Sequence, residues 1–239
     1  MIAVTTFSKT GYETYAGRMI DSVLENWPTK LIVYTEFPLS IDSDKVEVRD
    51  FFSIPGTQAF YQYIREVPVA HGKIGNGYNY NFDAWKFTRK VFAQYDVLKE
   101  AHEKVFWLDA DCIIKKPVPV EFLESIFEGK ALSFLGREGF YTETGFIGFD
   151  PEAEGFDSFL NNYINCLRLG ILFKLKRWHD CEALDWARQE SGISGNNLSP
   201  WFKIPESKKM TLEELDVVSR SILGEYIHHD KGPRKNKAA

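Results

Sequence analysis

Val105-Phe106-Trp107-Leu108-Asp109-Ala110-Asp111-Cys112-Ile113-Ile114 is the stretch on which the reading of the fold turns. Four apolar residues run into two carboxylates one residue apart, and β-branched residues close the run. A short continuous apolar run of this kind suits a strand buried on both faces. Side chains repeat every two residues on an extended backbone, so Asp109 and Asp111 are expected to point the same way. Ionised carboxylates at the end of a buried strand are costly unless compensated. Two hard oxygen ligands in that position make a site for a divalent cation. The competing reading is a surface turn in which the aspartates cap the next element; the uninterrupted apolar flank weighs against it.

Upstream, Ile2 to Phe7 reads as a first strand, and Glu13 to Trp27 carries apolar residues at helical spacing. Lys30 to Thr35 is a second strand and Val46 to Phe52 a weaker third. Strand, helix, strand in this order opens an α/β fold with a parallel sheet, whose ligands bind beyond the carboxyl ends of the strands. Thr5, Thr6 and Phe7 stand at such an end. No G-x-G-x-x-G follows the first strand and there is no P-loop, so a Rossmann dinucleotide site or an ordinary ATPase is not supported. Gln58 to Glu66 reads as a short helix, and the Gly-, Asn- and Tyr-rich segment from 71 to 81 as an ordered loop beside the cleft. Asp83 to Ala101 is the clearest helix; Lys86 and Lys90 fall off its apolar stripe, with Arg89 nearby. They read either as a solvated face or, for Lys86, as a cation reaching donor phosphates or a sugar. On that reading Lys90→Ala barely changes turnover, whereas Asp111→Ala abolishes it.

Downstream, Val120 to Phe127 reads as a helix, Ala131 to Leu135 and Thr142 to Asp150 as strands, and Phe156 to Phe173 as largely helical. Arg168, Lys174, Lys176 and Arg177 make a local basic cluster. Trp178 to Arg188 opens another helix that His179 or Asp180 could cap. Residues 191 to 209 read as irregular and Leu212 to Val218 as a short helix. A chain of 239 residues with 44% hydrophobic content is long enough for one well-buried domain. A net charge of -5 means the whole molecule is not a footprint for nucleic acid, though local patches are basic. Three scattered cysteines, Cys112, Cys166 and Cys181, argue for free thiols in a reducing compartment. With no signal-peptide pattern and no apolar stretch of membrane-spanning length, a soluble cytoplasmic protein without a membrane partner is expected.

Together these pieces resemble GT-A-fold glycosyltransferases, in particular the small retaining galactosyltransferase and glycogenin-like branch and a group of phage and bacterial glycosyltransferase-like proteins. The resemblance implies one α/β, Rossmann-like domain over 1–239, with a mixed, mostly parallel sheet flanked by helices. Residues 1–115 would form the nucleotide-sugar and metal-binding half, and 116–235 the acceptor side and a metal-binding C-terminal loop. It also implies that Asp109-Ala110-Asp111 holds a divalent metal on the donor diphosphate. A late His-x-x-Gly-x-x-Lys, matched by His229, Gly232 and Lys235, would supply a third metal ligand and a phosphate-binding lysine. His228 is adjacent; spacing to Gly232 favours His229.

Physical chemistry runs alongside. Negative charge builds on the leaving diphosphate as the anomeric bond breaks, and a Lewis-acid cation lowers that barrier. Carboxylates with an imidazole suit Mn²⁺ or Mg²⁺. Lys231, Arg234 and Lys235 read as a phosphate-binding loop. Glu143 and Asp180 are the catalytic candidates: a general base if the enzyme inverts, and, for Asp180, donor positioning or charge stabilisation if it retains. The donor is expected to be a UDP-sugar, and Thr5, Thr6, Phe7, Lys86, Asp109, Gly232 and Lys235 its binding residues. The acceptor is a glycan, a small molecule or, by the phage-like resemblance, a hydroxymethylated base in DNA. A nucleotidyltransferase and a non-catalytic nucleotide- or carbohydrate-binding module are the alternatives.

Overall fold

The computed structural model describes residues 1–203, 211, 213–232 and 234. The chain opens with β1 (Ile2–Thr6), the single turn α1 (Lys9–Gly11), a π-helical turn over Tyr12–Ala16 that runs on into α2 (Gly17–Asn26), β2 (Lys30–Thr35) and β3 (Val46–Asp50). Next come α3 (Thr57–Ile64), the short strands β4 (Lys73–Ile74) and β5 (Gly77–Tyr78), α4 (Ala84–Leu98), β6 (Val105–Leu108) and β7 (Cys112–Ile114). The second half contributes α5 (Val120–Ser125), β8 (Leu132–Leu135), β9 (Glu143–Phe149), α6 (Phe156–Arg168), α7 (Asp180–Ser191), β10 (Gly195–Asn197), α8 (Val217–Arg220) and β11 (Ile227–His229).

Seven strands form one sheet in the order β10-β8-β9-β6-β1-β2-β3. β1 pairs in parallel with β2 and β6, β2 with β3, and β10 with β8. β9 runs antiparallel between β6 and β8. The expected mixed, mostly parallel α/β sheet is the one that forms. Strand alternation splits the core in two. Val105 and Trp107 join the layer under α3, α4, α6 and α7; Phe106 and Leu108 join the layer under α2, α5 and α8.

The run from 105 to 114 is not one strand. The chain leaves the sheet after Leu108, and Cys112 N–H donates to the Asp109 carbonyl at 2.9 Å, closing a turn over the two aspartates. β7 then pairs antiparallel with β11, His229 opposite Cys112, in a separate two-stranded ladder. Ser22 Oγ accepts from Ile114 N at 3.0 Å and Asn26 Nδ2 donates to the Ile114 carbonyl, so α2 holds β7 in place. Asp109 and Asp111 therefore do not share an extended backbone, contrary to the period-two expectation. β10 lies in the segment read as irregular and β11 in the one read as a metal-binding C-terminal loop; three residues are too few to show a period. The helix expected over Leu212 to Val218 forms only as α8, and Leu212 lies outside the described residues.

Gly148 sits where β9 crosses β8, and a Cβ there would lie 2.3 Å from Ser133 Oγ and 2.8 Å from Phe127 Cζ. Gly148→Ala is expected to destabilise the fold by about 1–3 kcal/mol through overpacking. Denaturant unfolding checks this; a loss below about 0.5 kcal/mol would show that the strands part freely.

Candidate active site

Asp83 begins α4 by accepting from Lys86 N at 3.1 Å. The middle of the helix is wedged between layers, and Lys90 is only 8% exposed. Its Nζ stands 2.7 Å from Asp109 Oδ1 and 2.8 Å from Asp180 Oδ2. It also donates to the Thr144 carbonyl at 2.9 Å and lies 3.1 Å from Thr144 Oγ1. The solvated-face reading of Lys90 is thus overturned. Burial alone would drive its proton off; Asp109 and Asp180 outweigh that and hold its pKa above the ordinary lysine range. Trp107, one alternation before Asp109 on the same face of β6, donates its Nε1–H to Asp109 Oδ1 at 2.7 Å. Asp180 is the first residue of α7, and it accepts a second bond from Thr144 Oγ1 at 2.5 Å. Burial would raise the Asp180 pKa, but Lys90 overcomes it and the net direction is down.

Past the turn, Asp111 faces the other ladder. His229 Nε2 lies 3.2 Å from Asp111 Oδ1, and both residues are buried. Asp230 N donates to the Asp111 carbonyl at 2.8 Å and His229 N to Ser219 Oγ at 3.0 Å, which fixes the pair from the backbone. Two oxygen or nitrogen ligands on one ion, each about 2.1–2.2 Å from it, stand about 3 Å apart. The pair fits that spacing, and hard carboxylate plus imidazole fits Mn²⁺ or Mg²⁺. His229 Nδ1 has no hydrogen-bond partner. Gly145 makes room for the ring: a Cβ there would come within 2.9 Å of His229 Cε1. Burial lowers the His229 pKa, but Asp111 more than offsets it, and the net direction is up. His228 instead turns outward, 42% exposed, toward Asp230. Asp111, Cys112 and His229 bring ligand atoms within 4.8 Å of one another; Asp109 lies outside that group, engaged by Lys90.

Glu143 opens β9 and is 6% exposed. Lys231 pairs with Glu143 Oε2, and Arg137 Nη1 stands 3.2 Å from the same oxygen. Burial opposes its ionisation, yet Lys231, Arg137 and His229 together hold its pKa down to about 2. Arg234 pairs with Asp216 at 2.7 Å. Two cations of the expected phosphate loop are therefore already matched to carboxylates. Gly232 takes φ +65°, which lets the chain turn there. Lys235 lies outside the described residues.

A cleft of about 270 Å³ opens between β1, α4 and the aspartate turn, lined by Thr6, Phe7, Lys86, Phe87, Asp109 and Asp111 among others. Thr5 does not line it: its side chain is fully buried and its hydroxyl unpartnered. Of the basic cluster, Arg177 pairs with Glu182 at 2.5 Å and Arg168 packs over the Tyr95 ring. All three cysteines are free and buried. No helix of the described residues is long and apolar enough to cross a membrane.

A mixed, mostly parallel sheet carries an acidic turn and the buried Asp111–His229 pair beyond its central strand. No family model and no curated protein matches the sequence. The structure is similar to the apo form of mouse xyloside xylosyltransferase 1, with 12% identity and a TM-score of 0.51, over 83% of this chain and 85% of that one. It is also similar to the galactosyltransferase LgtC in complex with donor and acceptor sugar analogs, with 10% identity and a TM-score of 0.50, over 98% of this chain and 88% of that one. The fold is GT-A, the glycosyltransferase fold.

Lys90, Trp107, Thr144 and Arg137 went unread as site residues. The signal for Lys90 was there in Val91-Phe92-Ala93, a run that leaves α4 no solvated face at that level. Lys90→Met leaves Asp109 and Asp180 facing each other uncompensated, and is expected to destabilise the fold by about 3–5 kcal/mol; chemical denaturation with wild-type stability would refute the bridge. Glu143 makes the second prediction. Its folded pKa lies below the ordinary 4.5, so its contribution is present above pH 4.5 and is lost as pH falls toward 2. Acid unfolding curves of wild type and Glu143→Gln should converge across that window, by on the order of 3 kcal/mol; parallel curves would contradict the pairing.

Proposed function

We propose that the chain is a metal-dependent glycosyltransferase that moves a sugar from a nucleotide-sugar, with UDP as the nucleotide, and that it retains configuration. The observation that carries this reading is the buried Asp111–His229 pair, 3.2 Å apart, beside a cleft beyond the central strand of a GT-A sheet. Asp111 and His229, with Asp109 as third candidate, would hold Mn²⁺ or Mg²⁺, and the bound ion would supply Lewis-acid neutralisation of the leaving diphosphate. Phe7, stacked on Tyr12 at 5.7 Å, offers the nucleoside an aromatic wall. Lys86, exposed on the first turn of α4, offers the phosphates an ammonium. Lys90 and Asp180 form a rigid polar floor that orients the donor sugar.

Retention is supported by what the two catalytic candidates lack. Glu143 and Asp180 are both buried, cation-paired and pushed toward stronger acidity. A carboxylate held in that state is a poor proton acceptor. Its value is electrostatic: it keeps negative charge where positive charge develops on the sugar. On the acceptor side, Arg168 and Arg177 are engaged by protein groups, which weakens the cluster as a polynucleotide track. A glycan or small hydroxyl-bearing acceptor therefore gains over a modified DNA base.

Calorimetry of UDP with and without Mn²⁺ tests the assignment. Binding is expected only with the ion, and Asp111→Ala is expected to lose both ion-dependent binding and turnover, the latter by more than 100-fold on the scale of a lost metal ligand. Metal-independent UDP binding, as of a plain nucleotide-binding module, would overturn it.

A further inference from the structure

His179 is the residue the site does not yet use. It is 3% exposed, and neither ring nitrogen has a hydrogen-bond partner. Although it precedes α7 in the capping position, its side chain caps nothing. Two orphaned nitrogens on one buried ring are expensive, since each unpaired buried polar group forfeits its hydration. The preceding residue tells the same story: Trp178 N donates to the Asn81 carbonyl at 2.7 Å, and Asn81 buries an Oδ1 that is also unpartnered. Nothing in the packing of the described residues accounts for keeping these groups polar.

Their surroundings do. The His179 ring lies edge-on to Phe87 at 5.9 Å and to Tyr141 at 4.6 Å. Phe87 lines the donor cleft. Tyr141 lines a second cavity of about 400 Å³ over α7, together with Phe140, Arg177, Asp185, Trp186 and Gln189. His179 lines neither cavity itself; it lies behind Phe87 of the one and Tyr141 of the other, next to Asp180 and its partner Lys90. His179, Asp180 and Cys181 could be taken for a cation site. The Lys90 ammonium 2.8 Å from the Asp180 carboxylate argues against a second cation there. Burial holds the imidazole neutral against the pull of Asp180 and Glu182. A neutral imidazole offers one donor and one acceptor, which matches a hydroxyl group's two roles. Aromatic rings beside polar side chains suit a sugar, with its apolar ring face and its rim of hydroxyls.

Resting on the glycosyltransferase reading, we propose that the cavity over α7 takes a sugar acceptor and that His179 is the residue that hydrogen-bonds its hydroxyl where it meets the donor. Tyr141 is the cover: its ring packs against His179, lines the cavity over α7 and is stacked by Arg137 and Arg177, so the proposal requires that side chain to turn out of these contacts when an acceptor binds.

The test uses the full chain as wild type, His179→Phe and His179→Gln. If the nitrogens are kept for a ligand, His179→Phe holds or raises the thermal midpoint, because an apolar ring of similar shape replaces two unpaired groups. A midpoint that falls would mean that the nitrogens already have partners in the free protein, and the assignment would fail. The second measurement follows the imidazole signals of ¹³C-histidine-labelled protein with UDP and Mg²⁺, during titration with methyl glycosides of glucose, galactose and xylose. A saturable shift of the His179 signal by at least one glycoside is expected. His179→Phe should lose at least tenfold in glycoside affinity, His179→Gln should restore part of it, and UDP affinity should stay within twofold. Glycosides that leave His179 unmoved, or that bind His179→Phe as tightly as wild type, would overturn the proposal while UDP binding left the broader reading standing. Failure of wild type to bind UDP would remove both.

Discussion

One buried ammonium organises this molecule. Lys90 is held between Asp109, from the turn after the central strand, and Asp180, from the start of α7, with Thr144 of β9 accepting its remaining protons. Removing a lysine and two carboxylates from water costs several kcal/mol per ion. The cost is met only because every oxygen named has a donor: Trp107 Nε1 for Asp109, Thr144 Oγ1 for Asp180. The cluster therefore locks β6, β9, α4 and α7 at one point. Losing Lys90 or either aspartate would leave a charge stranded, so the geometry of the acidic turn is set from behind, by packing, and not from the solvent side.

That arrangement explains which parts of the molecule could be read in advance. β2 was legible to the residue because Lys30 to Thr35 is an unbroken β-favouring run, and β8 and β9 stood out likewise. A long apolar stripe at helical spacing between Asp83 and Ala101 made α4 clear. The aspartate turn was misread because its flanks are apolar for two different reasons: Val105 to Leu108 fill the main sheet, while Cys112 to Ile114 pack under α2 and pair with β11. One sequence run serves two ladders. Lys90 was misread because a cation beside an apolar stripe is usually solvated, and its partners Asp109 and Asp180 lie 19 and 90 residues downstream. No local pattern carries that distance. His229 could be named through spacing to Gly232, but the reason it faces Asp111 is its register opposite Cys112, which only the folded ladder supplies.

Two carboxylates at the ends of one short loop thus come to play different parts. Asp109 belongs to the buried cation and holds a fixed place; Asp111 belongs to His229 and borders the cleft. A motif that reads as a symmetric pair is asymmetric in its partners: the first aspartate pairs with Lys90, the second with His229. Under the proposed function, the permanent ammonium would keep the turn in place with or without a cation on Asp111 and His229.

The C-terminal loop follows the same logic in reverse. Lys231 is matched to Glu143 and Arg234 to Asp216, so neither arrives at the cleft as a spare positive charge. A diphosphate entering beside Asp109 and Asp111 meets a site in which Lys86 is the exposed cation on α4. Like charges at such range repel strongly where water is scarce. Under the proposed function, two sources of relief among the described residues are a divalent ion carried on Asp111 and His229, and Lys231 turning from Glu143 toward the phosphates. The second uncovers a buried carboxylate that Arg137 alone would then hold, a substantial penalty for a group 6% exposed. Under the proposed function the ion is therefore the cheaper of these two answers.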